Sequence, residues 1–443
     1  MRFEVRFILQ RLFFIGFWLA TCNGFVCDLF WQHGESSILR TISLLAVDVI
    51  LLFLAVCTLR KTFDIIFISF FLVVSFASTC ILNHSGFFSW INGLRYFFGM
   101  LFLIPILRYF LENETRHDLF VKSLDKQLYI FLWLQVPAVL FQFFVHGAGD
   151  RVGGTMGDGF SGVISISIYL TSFYLLSKRI DRNNITQSLY KNWVFIFLLF
   201  PTFLNETKIS FILLIVYFIL LMPLDRKYII RMTFLIPVVA LLVGVGSYFY
   251  MSTVQGDERL ELSEEFFEDY FDADLDDLEG AIEYAEKNYS EMFDVPRLAK
   301  FAIVPMIFNA HPGHHLLGFG TNIYAHGAHV KATEFYEEYD WLLNGTSPWL
   351  FCIYMQLGII GTIWTMLYFI SLFYRKPLIY DKRNLNAQFF LLVIIVIMFF
   401  YSDHWGYANF CYMALIFHFL SWQKGDTKMS PKNLSENSTS TGT

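Results

Sequence analysis

Long apolar runs recur along most of this chain, separated by short polar stretches, and one polar stretch breaks the rhythm. The runs fall near residues 11–30, 38–59, 63–82, 90–109, 128–146, 160–177, 191–204, 208–224, 229–250, 348–374, 386–401 and 404–422. Most are about 18–22 residues long, which is what a helix needs to cross a bilayer core. The pattern predicts an all-α polytopic bundle of about twelve spans. The organisation that follows is nine spans over residues 1–250, a loop over 251–347, three spans over 348–423 and a disordered polar tail over 424–443.

The seventh run is too short. From Trp193 to Leu204 there are about twelve residues, roughly 18 Å of helix, against a core of about 30 Å. The polar turn that follows, Asn205 to Lys208, then has to lie below the outer surface, or Lys191 and Asn192 have to be drawn in. Polar non-helical backbone at that depth is tolerated only where it lines a cavity or is buried in protein. Glu206 and Lys208 are expected to face a wet cavity.

The loop has two halves. Residues 257–294 are acidic, with Phe267, Phe271, Leu275, Leu278, Ile282 and Ala285 at helical spacing, so an amphipathic helix starting near Ser263 is expected. Residues 296–345 are rich in His, Gly and Tyr and read as irregular.

Composition agrees with a membrane protein. The chain of 443 residues is 56% hydrophobic and holds 52 Phe, more apolar surface than a water-facing domain can use. The basic N-terminus with its apolar run reads as the first span, because no small-residue cleavage site follows. Charge then sets orientation. Arg2, Arg6, Arg60, Lys61, Arg108, Lys178, Arg179, Arg226, Lys227, Arg375 and Lys424 all fall on connections of one face. The positive-inside rule places that face and both termini in the cytoplasm, and the long loop outside. For a bacterial protein this means the inner membrane. Six cysteines lie in or beside apolar runs, so neither a disulfide framework nor a metal spacing is read from them.

Several residues are candidates for chemistry. Arg95, near the outer end of the fourth run, either snorkels to the interface or binds an anion. Asp48, midway in the second run, needs a partner within the bundle. The stretch from Asp150 to Gly162 has five glycines and Arg151, and it opens a helix; its backbone N–H groups could approach an anion, or the glycines could serve only a tight turn. Asn205, Glu206 and Lys208 offer a carboxylate and an ammonium, or simply an internal ion pair. His311, His314, His315, His326 and His329 crowd one passage but fit no zinc spacing. One of them acting as a general base is the better reading. Asp272 to Glu283 mimics a calcium loop, yet Asp277 stands where the sharp turn requires glycine.

Four passages, in order, resemble the bacterial O-antigen polymerase and ligase superfamily. They are RVGGTMGDGFSG, LNETKISFILL, HPGHHLLGFGTNIYAHG and SPWLFCIYMQLGIIGT. The resemblance implies a membrane glycosyltransferase that works without a metal or other cofactor on glycans carried by undecaprenyl diphosphate, in the lipid bilayer and with no nucleic-acid partner. Glu206, Thr207 and Lys208 stand where the ligase branch usually has Ser-Arg, and Gly327 follows His326 where that branch usually has a polar residue and leucine. Both departures favour the polymerase branch. The implied reaction transfers a growing glycan to a sugar hydroxyl of another lipid-linked repeat, and it admits a chain-length regulator as a partner. Arg151 and Lys208 are the expected cations for the leaving diphosphate. His326 or Glu206 is the expected base. Arg95, Arg297, His311 and Tyr324 complete the expected substrate contacts. A ligase acting on lipid A-core is the enzymatic alternative, with a membrane acyltransferase behind it. A lipid-glycan flippase is the non-enzyme alternative, although no repeat of halves is visible.

Overall fold

A computed structural model describes residues 2–30, 38–221, 299–324, 332–374 and 382–423, a few short turns within them excepted, together with Val295 and Arg297. The expected ninth span, the acidic helix, the calcium-like segment, His326, His329 and the tail lie outside the described residues.

Among the described residues the architecture is all-α apart from one antiparallel pair of two-residue strands, Lys382–Arg383 and Trp422–Gln423. In chain order the main helices are α1 (Arg2–Phe30), α2 (Ile38–Thr58), α3 (Thr62–Phe76), α4 (Phe87–Leu94), α5 (Phe98–Leu111), α6 (Glu114–His146) and α7 (Ser161–Ser177). They continue as α8 (Ile185–Lys191), α9 (Trp193–Phe197), α10 (Pro201–Leu204), α11 (Lys208–Leu221), α12 (Ala299–Ala310), α13 (Glu334–Leu343), α14 (Trp349–Tyr374), α15 (Leu385–Tyr401) and α16 (Ala408–Leu420). Among the described residues six helical segments are long and apolar enough to cross a membrane: Val5–Cys27, Ile38–Thr58, Thr62–Leu82, Phe87–Leu111, His117–His146 and Trp349–Tyr374. Others, such as Ser161–Ser177, Leu385–Tyr401 and Ala408–Leu420, are apolar but shorter.

Burial follows from that apolarity. α5, α7 and α16 are buried almost all round, which suits helices hydrophobic on every face. α2 and α3 carry the opposite signature. Val49, Val56, Ile66 and Val73 are more than half exposed, a surface suited to lipid rather than water.

Two expectations need correction. The run 191–204 is not one helix but the separate turns of α9 and α10, because it is short and Pro201 starts a new turn. Residues 296–345 are not simply irregular. α12 and α13 lie within them; the His, Gly and Tyr residues between the two helices masked their pattern.

One end of the bundle gathers expected inner-face cations. Arg6 donates to the carbonyls of Tyr109 and Phe110, Lys61 pairs with Glu112, Arg108 with Asp64 and Lys178 with Asp125. The opposite end carries the site.

Candidate functional site

A break in α14 organises the site. Gly358 has φ 60° and ψ −155°, a conformation open in practice to glycine alone. The helix ladder is interrupted there, and the passage 315–320 takes its place. Phe319 N–H donates to Met355 O at 2.8 Å and Gly320 N–H to Gln356 O at 3.0 Å. In return Ile359 and Ile360 donate to His315 O and Leu316 O at 3.0 and 3.2 Å. These bonds satisfy backbone groups that a broken span would otherwise leave unpaired. A Cβ on Gly358 would lie 2.6 Å from His315 O, so a side chain there meets backbone as well as strain.

The end of α3 clamps the same passage. Residues Ala77–Leu82 form a π-helical turn, a widening common at functional sites. Ser78 Oγ donates to the Leu317 and Gln356 carbonyls. Thr79 Oγ1 accepts from Thr321 N–H at 3.0 Å, and Asn83 Nδ2 donates to Gly318 O at 3.1 Å. The third and fourth passages of the family resemblance are therefore one interlocked unit.

Beside this unit lies a polar recess. Tyr96 Oη donates to Asp403 Oδ2 at 2.8 Å. Lys300 Nζ, buried, donates to Ser347 Oγ at 2.8 Å. The buried Tyr324 hydroxyl lies close enough to Cys352 and Ser347 to be coupled to both. The Arg297 guanidinium lies 3.9 Å from the centre of the Tyr401 ring and is close enough to Asp403 and His404 to be coupled to both. Tyr96, Arg297, Tyr324, Asp403 and His404 are each partly exposed, while the Tyr324 hydroxyl oxygen itself is buried. Burial pushes the Asp403 carboxyl above the ordinary range, while the Tyr96 hydrogen bond, Lys300 and Arg297 pull it down. Burial likewise raises the Tyr324 phenol, and Cys352 and Asp403 add to it. A perturbed carboxylate among cations in a recess is the arrangement acid–base sites use.

Gly406 shapes this recess. A Cβ there would fall 2.0 Å from the Tyr96 ring, so the ring lies directly on the backbone of the joint between α15 and α16.

The other candidates are placed as follows. Arg95, next to Tyr96, turns the other way and is bound by Asp48 Oδ2 at 2.6 Å, which gives Asp48 its partner in the bundle. The glycine-rich turn is held by two glutamines. Gln142 pairs with both Gly154 N–H and Gly154 O, and Gln135 accepts from Thr155 N–H and donates to Thr155 Oγ1. The amides of Gly154 and Thr155 are thus engaged, and the expectation that they stand open to an anion does not hold for them. Arg151 is exposed at the mouth of this turn. Asn205 is fully buried and donates to Ser161 O at 3.0 Å and Ser165 Oγ at 2.6 Å. The sunken polar turn is accordingly fastened to the start of α7. Lys208 opens α11; Glu206, like His326, lies outside the described residues.

His311 Nε2 lies 3.4 Å from Tyr339 Oη, inside a stack in which His314 faces Phe319 at 4.6 Å and Phe319 faces Phe335 at 4.0 Å. Burial lowers the His314 imidazole and pushes the Tyr339 phenol up to about 12. Among the described residues no three His, Cys, Asp or Glu side chains are arranged to hold a metal ion.

Sequence reading found Arg297 and Tyr324 but missed Tyr96, Lys300, Asp403 and His404. The signal was available: Asp403 and His404 stand in the short joint between two apolar runs, and Lys300 is a lone charge in an apolar stretch. All four resembling passages reach this end, since His404 Nε2 lies 2.9 Å from where a Cβ on Gly162 would stand and Asn205 is bonded to Ser161.

Set against known proteins, the chain matches no protein-family model and no curated protein sequence.

Proposed function

We propose that this chain is a membrane glycosyltransferase that polymerises surface-polysaccharide repeat units. It would move a growing glycan from undecaprenyl diphosphate to a sugar hydroxyl of the next lipid-linked repeat, at the periplasmic face of the inner membrane. The observation that carries the reading is the convergence of the four passages at one bundle end, around a recess holding Arg297, Lys300, Tyr324 and Asp403. A lipid diphosphate leaves with growing negative charge, which fixed cations at a desolvated site stabilise. Arg297 supplies a planar fork suited to phosphate oxygens. Arg151 and Lys208 add their positive charge against the leaving diphosphate. Tyr324 and His311 offer aromatic and hydrogen-bonding faces for sugar. His326 takes the acceptor proton, and Glu206 positions Lys208 or a sugar hydroxyl.

Tested in cells at native expression, Arg297→Ala should remove long polymer and leave single lipid-linked repeats accumulating, with protein level unchanged. Arg297→Lys should recover little, because a point charge does not reproduce the fork. Normal polymer length from Arg297→Ala would take that residue out of the site.

A further inference from the structure

An apolar groove runs along α1 on the surface of the bundle. Phe14, Trp18, Cys22 and Val26 line it, recurring at four-residue steps and so forming one stripe of the helix. Leu39 and Ser43 of α2 and Gln127 of α6 close its sides. Its volume is about 530 Å³, within the range of ligand clefts. From Phe14 to Cys27 it follows about 20 Å of helix.

The walls suit hydrocarbon. Ile15, Val26 and Leu39 are exposed, and the polar groups beside them are paired with each other. Trp18 Nε1 donates to Gln127 Oε1 at 2.8 Å, and Asn23 Nδ2 to Ser43 Oγ at 3.3 Å. A chain laid in the groove meets polar groups whose hydrogen bonds are already made, which removes much of the cost of covering them.

Two observations select the chain. The first is continuity with the recess. The neighbouring face of α1 lies on the glycine-rich turn: Thr155 Oγ1 donates to Thr21 O at 2.7 Å, and a Cβ on Gly24 would fall 1.7 Å from Met156 O. Arg40, next to Leu39, places its guanidinium carbon 5.4 Å from the centre of the Phe160 ring. Phe160 meets Tyr407 at 5.3 Å and Tyr407 meets Tyr96 at 6.3 Å, and Tyr96 is bonded to Asp403. The second is length. About 20 Å is more than half of a hydrocarbon core of about 30 Å, deeper than one leaflet. We infer that the groove holds the polyprenyl chain of the lipid-linked repeat, an inference that rests on the polymerase reading above. The head end of the chain then leads past Phe160 to the recess.

The test uses purified full-length protein in neutral detergent and undecaprenyl phosphate carrying a diazirine in its chain. On illumination the label should fall on residues 14–27 and 39–43. Excess unlabelled undecaprenyl phosphate should compete it away, and phosphatidylglycerol at the same concentration should not. Val26 is exposed, so Val26→Trp should fold with the wild-type thermal midpoint. Its ring fills the groove and should cut the labelling by about tenfold. Val73→Trp, on the exposed face of α3, should label like wild type. Equal displacement by phosphatidylglycerol, label confined to other helices, or a Val26→Trp protein labelled like wild type would overturn the inference. Labelling needs no turnover, so a protein that labels here but elongates nothing would uphold the groove and remove the polymerase reading.

Discussion

Tyr96 and Asp403 show how a single hydroxyl tunes the recess. The Tyr96 hydrogen bond favours the ionised carboxylate, against the burial that raises it. Tyr96→Phe removes the favouring contact, so the Asp403 pKa rises further. If turnover needs the carboxylate charged, the acidic limb of the pH–rate profile moves to higher pH in Tyr96→Phe while the alkaline limb stays. An unshifted acidic limb would assign Tyr96 to packing alone. Gly406→Ala attacks the same contact from the other side, because its Cβ would meet the Tyr96 ring at 2.0 Å. Overpacking of this kind costs about 1–3 kcal/mol, and a lowered midpoint of thermal inactivation should report it.

His314 gives a second pH prediction at this scale. Its folded-state pKa is lowered by burial, so the unfolded chain binds the proton more readily. The contribution to stability is present above the unfolded value of about 6.5 and is lost as pH falls below it. His314→Phe keeps a ring on Phe319 without the titration. The loss of stability between pH 7 and pH 5 should be smaller in that variant than in the wild type; identical curves would place the transition elsewhere.

Among the elements, the broken α14 and the passage 315–320 form the unit most exposed to a single change. Gly358→Ala adds backbone strain of about 1–3 kcal/mol and a clash with His315 O. The passage should detach, seen as protease cleavage between His311 and Tyr324 that the wild type resists. Ser78→Ala should act in the same direction but more mildly, since each lost hydrogen bond is worth about 0.5–1.5 kcal/mol. This unit was only half legible in the sequence. The His-Pro and Gly-Phe-Gly motifs were visible at 311–320, and so was the apolar run after Pro348. Nothing in a run of Met, Gln, Leu and Gly announces that its helix opens at Gly358 to accept another strand of chain, because the partner lies some forty residues away. Asp48 and Arg95 illustrate the same limit: each was conspicuous alone, but their pairing at 2.6 Å is a product of helix packing. The short run before Asn205 was legible because length against bilayer thickness is a one-dimensional test.

At the scale of the molecule, the two ends of the bundle have opposite character. One gathers Arg6, Arg60, Lys61, Arg108 and Lys178, and the other holds the recess. A cysteine at the exposed position Glu337 should react with an impermeant thiol reagent in cells with a permeable outer membrane. One at Arg179 should react only after lysis. The reverse pattern would invert the orientation taken from positive-inside counting and would place the recess in the cytoplasm, away from periplasmic glycan carriers.

The measurement that bears most directly on the proposed activity is elongation by the purified protein. Supplied in detergent with one lipid-linked repeat unit and a chelator, without nucleotide or ion gradient, it should build a ladder of longer lipid-linked glycans and release undecaprenyl diphosphate. Arg297→Ala should slow this by on the order of 10²–10³, and His326→Ala by roughly 10²–10⁴. A folded wild-type protein that leaves the repeat unit unchanged, yet moves it across the bilayer of a sealed vesicle, would contradict the polymerase account and establish a flippase instead.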